Sequence, residues 1–145
     1  MPLPSDIRVR EAELFFLPIQ TRVPLKFGAQ VVTQVTCARV RIRVEDCAGR
    51  TAEGWGETPL SVAWVWPSEL SWEERESRLR ALCGRLVQEL VSFEAIGHPM
   101  EVSHRFMENR LHSLLAEENA GRAPGAYMPH LASLVCFSLF DLALY

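Results

Sequence analysis

The sequence is nearly without lysine. Lys26 is the only one, beside fourteen arginines, and the net charge is −3 with a pI of about 5.8. With no basic excess, a nucleic-acid partner is not expected. The cysteines, Cys37, Cys47, Cys83 and Cys136, form no C-x-x-C pair. They read as reduced, mostly buried thiols of a cytosolic protein. The opening residues MPLPSDIRVR hold no apolar run long enough for export or anchoring. There is no G-x-S-x-G, no Walker loop and no G-x-G-x-x-G; Gly54-Trp55-Gly56 lacks the third glycine and opens no helix. H-E-x-x-H is missing as well. His104 and His112, eight apart, would be turned roughly 80° from each other on a helix. These two, with His98 and His130, read as solvated or capping residues. A cysteine nucleophile would need a histidine beside it in space, and the sequence marks none. No residue of the chain is assigned a catalytic or metal-binding role.

What is present is an ordinary globular composition, 48% apolar and 23% charged over 145 residues, enough for one domain with a core. The first third has strand periodicity. Ile7 and Val9 alternate with Arg8 and Arg10; Ala38, Val40, Ile42 and Val44 alternate with Arg39, Arg41, Arg43 and Glu45. Asp46 to Arg50, with Gly49, reads as a short hairpin connection into a third strand over Thr51 to Glu57. Ala52, Gly54 and Gly56 share one face of that strand, which implies close approach by another element. Leu17 to Gln34, with Pro18, Pro24 and Gly28, has no steady period and is expected to be a long irregular loop.

The second half has helical periodicity. Ser71 and Glu74 fit a capping box. Leu79, Leu82, Leu86 and Leu90 follow at helical spacing, with Cys83 and Val87 widening the stripe. Glu74 with Arg78, and Glu76 with Arg80, are expected to pair. Gly97 and Pro99 should end this helix. A second helix is expected from Pro99 to Glu118, with Val102, Phe106, Met107, Leu111, Leu114 and Leu115 as its stripe. Pro129 should open a third as a first-turn proline. Strands first and helices after give an α+β fold: residues 1–60 form a three-stranded antiparallel meander with a long first loop, and residues 61–145 a three-helix bundle.

The third helix poses the main question. From His130 to Tyr145 only Ser133, Ser138 and Asp141 interrupt an apolar run. A helix apolar on all sides must be buried all round, and no further residue follows to bury it. A membrane span would need about 20 residues and a basic flank; the run is shorter and holds Asp141. The expectation is a covering partner: this chain is the front piece of a larger protein.

Three smaller features have both a functional and a structural reading. Arg39, Arg41 and Arg43 are either an anion-binding strip or partners for glutamates on neighbouring strands; the pairing is expected. Trp64 and Trp66 beside Pro67 either line a ligand pocket or strap the core, and the strap is expected. Arg22, Lys26 and Phe27 in the long loop, with Glu57 and Thr58 at the end of the third strand, are either ordinary surface or residues that close over a ligand.

Four stretches together resemble the N-terminal domain of the enolase superfamily, in the mandelate racemase and muconate lactonizing enzyme group. They are Arg22 to Gly28; Val40 to Val44 with the Gly49 turn; Gly54-Trp55-Gly56-Glu57-Thr58-Pro59, similar to G-x-G-E-x-x-P but with the proline one residue earlier; and Phe137 to Tyr145, similar to a helix ending A-L-W/Y-D. The tract Glu57 to Ser68 departs from the commoner members. The resemblance implies a capping domain over a C-terminal β/α barrel, which is absent from this chain. That barrel would supply the Mg2+ ligands and the acid/base residues for proton abstraction next to a carboxylate, leading to racemisation, dehydration or cycloisomerisation. By position, it assigns Arg22, Lys26 and Phe27 to one substrate-facing loop and Trp55, Glu57 and Thr58 to the other. Expected partners are the barrel, a carboxylate small molecule and, through the bare apolar face, a second copy of the chain; no membrane is expected. Two alternatives stand beside this: a free-standing small-ligand module with a pocket between sheet and helices, and a tail-anchored membrane protein.

Overall fold

The alternation in the first sixty residues produces three strands: β1 (Ile7–Phe27), β2 (Gln30–Asp46) and β3 (Thr51–Pro59), antiparallel and in the order β1-β2-β3. This is seen in a computed structural model describing residues 1–145. On the inner face Ala38, Val40 and Ile42 of β2 lie opposite Phe16, Leu14 and Ala12 of β1, and opposite Thr58, Gly56 and Gly54 of β3. The three β2 residues are wholly buried. A bulge at Arg10 keeps both halves of β1 in phase with that face. On the outer face the three arginines meet glutamates across the strands. Arg39 pairs with Glu57 at 2.6 Å, Arg41 with Glu13 at 3.0 Å and Glu53 at 3.4 Å, and Arg43 with Glu11.

The expected loop over Leu17 to Gln34 is instead a hairpin arm that extends β1 and β2. Pairing runs without interruption to Gln20 opposite Gln34 and resumes at Leu25 opposite Val32. Between them Thr21 to Pro24 face the single Thr33, and the Thr21 hydroxyl donates to the Thr33 carbonyl at 3.1 Å. That wide bulge breaks the period of two. It also gives Pro24, which has no N–H to offer a ladder, a place in a strand. The arm turns at Gly28-Ala29, and Gly28 takes a φ of 57°, as the first position of a tight hairpin requires.

Helices cover only the inner face. After a short turn, α1 (Val62–Val65), comes α2 (Trp72–Ser92), whose N-cap Ser71 accepts from the Glu74 N–H at 3.1 Å. Leu79, Leu82, Cys83, Leu86 and Leu90 are its buried stripe. The expected pairs along its surface do not form. Arg78 reaches Glu118 at 2.7 Å and stacks over the Trp66 ring, Arg80 lies over Phe16, and Glu76 accepts from Thr36. Tertiary partners outcompete neighbours along the helix because partly buried contacts are stronger than solvated ones. Gly97 does not cap α2, which ends at Ser92; it pairs with Ile7 in an isolated bridge.

The second long helix contains an interruption. It runs as α3 (Pro99–Phe106), a π-turn (Met107–Leu111) and α4 (His112–Asn119). Phe106 and Leu111 are both core residues but lie five apart, out of phase for an α-helix. The wider π-turn restores the phase, so Val102, Phe106, Leu111 and Leu114 all face inward.

The closing helix, α5 (His130–Leu144), follows Pro129, which is its N-cap and not its first turn. The expectation that nothing in the chain buries α5 is corrected here. Ala132, Cys136, Phe137, Leu139, Phe140 and Ala143 are buried against β3, β2 and α2. Gly54 and Gly56 make this possible. A Cβ at either would coincide with the carbonyl oxygen of Ala143 or Leu139, so the α5 backbone lies directly on the strand. Stacked Phe106 and Phe137 at 5.1 Å, with Phe93 edge-on to Phe106, join α5 to the other helices. Asp141, the charge inside the apolar run, accepts from buried Ser103. What remains bare is one stripe, Leu131, Leu134, Leu142 and Tyr145, spaced at helical intervals over about 20 Å.

Candidate functional site

The arm leans toward the segment after β3, and between them lies a cleft of about 380 Å3. The arm supplies Leu25, Phe27 and Val31; the other wall is Leu60 to Trp64 with Trp72 and Glu73 from the start of α2. The rim is apolar and open. Leu25, Phe27, Val31 and Trp64 are all exposed, Trp64 at 55%. Exposed apolar side chains gathered round a concavity mark a binding surface more than a monomer's ordinary surface. Glu73 is the only charged side chain in the lining.

Trp64 and Trp66 therefore divide the two roles weighed for them. Trp66 is fully buried, straps the core beneath Arg78, and its indole N–H has no acceptor. Trp64 forms the cleft wall. The sequence signal for the wall was the aromatic pair two apart: an α1 turn between Val62 and Val65 points one inward and leaves the other outward.

The six residues assigned to substrate loops do not come together in this domain. Phe27 lines the arm cleft. Arg22 lies in the arm bulge and Lys26 near its tip, both exposed, and neither meets an acidic partner. Trp55 and Glu57 are on the outer face of the sheet, where Trp55 stacks on Phe15 at 6.1 Å and Glu57 holds Arg39. They line a shallow hollow with Arg39 and Gly56. Thr58 turns to the inner face opposite Ala38. Leu25 and Val31 were not among the candidates, because only the hairpin pairing places Val31 opposite Lys26 on the arm.

All four cysteines are free, and Cys37, Cys83 and Cys136 are buried. Hydrogen bonding with Cys83 and burial push the Cys136 thiol well up, and burial raises Cys37. Such thiols are inert as nucleophiles. His98 caps α3 by accepting from the Met100 N–H at 3.3 Å. His112 and His130 stack on each other with ring centroids 5.1 Å apart. No three His, Cys, Asp or Glu side chains gather closely enough to hold a metal ion, so the residues present do not fit a Mg2+ site. The segment Pro124–Leu144 has a mean hydropathy of 1.4, within the range of membrane spans, but half of it is buried inside the domain. Its α-helical part is 15 residues, short of the ~20 needed to cross a bilayer.

A three-stranded antiparallel sheet covered on one face by helices, with an arm and a loop beside each other, defines an α+β domain. No family model and no curated protein matches the sequence. Solved structures similar to it include mandelate racemase/muconate lactonizing proteins and one described as a member of the enolase superfamily. A dipeptide epimerase from Cytophaga hutchinsonii, complexed with Mg and D-Ala-L-Val, is 17% identical with a TM-score of 0.47; the match covers 95% of this chain and 29% of that one. The L-Ala-D/L-Glu epimerase from Bacillus subtilis is 16% identical with a TM-score of 0.45, covering 95% and 30%. L-Talarate dehydratase from Polaromonas, complexed with Mg and L-glucarate, is 14% identical with a TM-score of 0.43, covering 95% and 31%. The identities and scores are low, and these likenesses bear on architecture alone. The chain spans about 30% of the length of the solved chains it matches.

Proposed function

We propose that this chain is the N-terminal capping domain of an enolase-superfamily enzyme of the mandelate racemase and muconate lactonizing group. Its place is over a C-terminal β/α barrel that carries the Mg2+ and the acid/base residues. The observation that carries this reading is the bare stripe of α5. One side of the helix is fixed to the sheet through Gly54 and Gly56, and the other presents Leu131, Leu134, Leu142 and Tyr145 to solvent. An apolar stripe on a well-packed helix is a surface for a further layer of protein. The G-x-G-E run at Gly54 to Glu57, with Pro59 one residue earlier than in G-x-G-E-x-x-P, supports the same family, and its two glycines are the ones that α5 needs.

In this reading the arm and the segment after β3 close over the barrel mouth. Phe27, Arg22 and Lys26 on the arm are the residues nearest to a carboxylate substrate in this reading, and Trp55, Glu57 and Thr58, which turn to different faces of β3, border it from the strand end. Their work is to exclude water and choose the substrate. The chemistry lies elsewhere. Acidic residues of the barrel would hold Mg2+, which would supply Lewis-acid polarisation for proton abstraction beside a carboxylate.

The purified chain, assayed with Mg2+ and mandelate, muconate or acid sugars, is expected to show no turnover. Activity that co-purifies with the chain through successive columns would overturn the proposal. The arm cleft favours the second reading, a ligand-binding module complete in itself. A ligand that raises the melting temperature of the isolated chain is common ground for both readings. Self-association through α5 is expected only of the capping domain.

A further inference from the structure

We infer that the arm cleft takes the apolar end of a small-molecule acid. On the capping-domain reading, the complete protein then acts on monocarboxylates with a branched or aromatic far end, and not on polyhydroxylated diacids. Three observations carry this. The cleft, about 380 Å3, has room for a ring or a branched side chain and not for a large ligand. Its walls and rim are Leu25, Phe27, Val31, Val62, Trp64 and Trp72. Its polar groups are neutral amides and hydroxyls apart from Glu73.

The chemistry of exclusion follows. A polyol entering the cleft gives up water, and the amides and hydroxyls of Thr21, Gln30, Thr33, Gln34 and Ser61 replace part of it while the Leu25, Phe27, Val31 and Trp64 side offers none; each unpaired hydroxyl weakens binding. A carboxylate entering meets Glu73 and no cation in the lining, so like charges repel. An apolar group meets neither obstacle, and the indole face of Trp64 gives an aromatic ring a stacking surface. The acid end must therefore stay outside the cleft.

The test uses the 145-residue chain and two probes, 4-phenylbutyrate and D-glucarate, followed by backbone amide NMR shifts. Phenylbutyrate is expected to bind with a Kd of about 1 mM, as a ligand of its size in an open apolar cleft would. Its saturable shifts should fall at Phe27, Val31 and Trp64, and glucarate should bind at least ~10-fold more weakly. Val31→Asn, at an exposed rim position that leaves the fold unchanged by circular dichroism, is expected to weaken phenylbutyrate about 5-fold or more. Glucarate binding as tightly as phenylbutyrate, shifts at another surface, or unchanged affinity in Val31→Asn would each overturn the inference. Binding is read on this chain by itself, so such a failure leaves the tests of the capping reading standing. Turnover by the isolated chain would overturn that reading and leave the ligand preference of the cleft intact.

Discussion

Two glycines and one carboxylate show what single residues do here. Gly54 and Gly56 were legible as sites of close approach because small residues shared one strand face. The structure identifies the approaching element as the α5 backbone, at the Ala143 and Leu139 carbonyls. A backbone carbonyl in a helix cannot step aside as a side chain tip can. Gly56→Ala is therefore expected to cost about 3 kcal/mol, read as a lower urea midpoint with unchanged slope; a loss under ~1 kcal/mol would show that α5 sits farther from the sheet. Glu45 is held down to a pKa of about 2 by hydrogen bonds from Arg10 and then Arg8. Its folded value lies below its ordinary value near 4.5. Its contribution is thus complete above pH ~4.5 and lost as pH falls toward 2. Glu45→Gln is expected to melt lower than the parent at pH 6, with the gap narrowing below pH ~4.5 and closing only as pH falls through about 2. A gap that stays constant over this range would contradict the assignment. Asp46, lowered by the Arg50 backbone and side chain, moves in the same direction.

The elements differ in how far the sequence discloses them. The Ser71 half of the expected capping box was legible, since a hydroxyl facing an N–H three residues on is a local arrangement; the Glu74 carboxylate does not return a bond to the Ser71 N–H. Ser71→Ala is expected to cost about 1 kcal/mol in thermal or urea unfolding. The arm was not legible as strand. Its long-range pairing overrides Pro24 and the missing period, and a bulge of four residues against one erases the alternation on which a strand assignment depends. The π-turn lay in the spacing of Phe106 and Leu111, although a stripe with Met107 beside Phe106 also reads as unbroken helix. Deleting Asn109 would put Phe106 and Leu111 four apart. The expected product is a folded domain with a regular α-helix here, seen as continuous α-type contacts in NMR. An unfolded product would show that the extra residue is needed and not merely accommodated.

For the whole molecule, the apolar content of α5 was plain from the sequence, but its division into a buried face and a bare stripe was not. That division depends on where Gly54 and Gly56 let the helix sit. The candidate site was legible in part. Phe27 and Trp64, both weighed from the sequence, line the cleft, whereas Trp55 and Glu57 face the far side of the sheet and Leu25 and Val31 enter through the arm's pairing. The central claim is that the α5 stripe is a surface made to be covered. Sedimentation velocity across the micromolar range, on the parent chain and on the Leu134→Glu/Leu142→Glu double variant, tests this most directly. The parent is expected to gain mass with concentration, and the variant to stay at the 16.4 kDa monomer with an unchanged circular dichroism spectrum. A parent chain that remains a 16.4 kDa monomer at every concentration would contradict the claim.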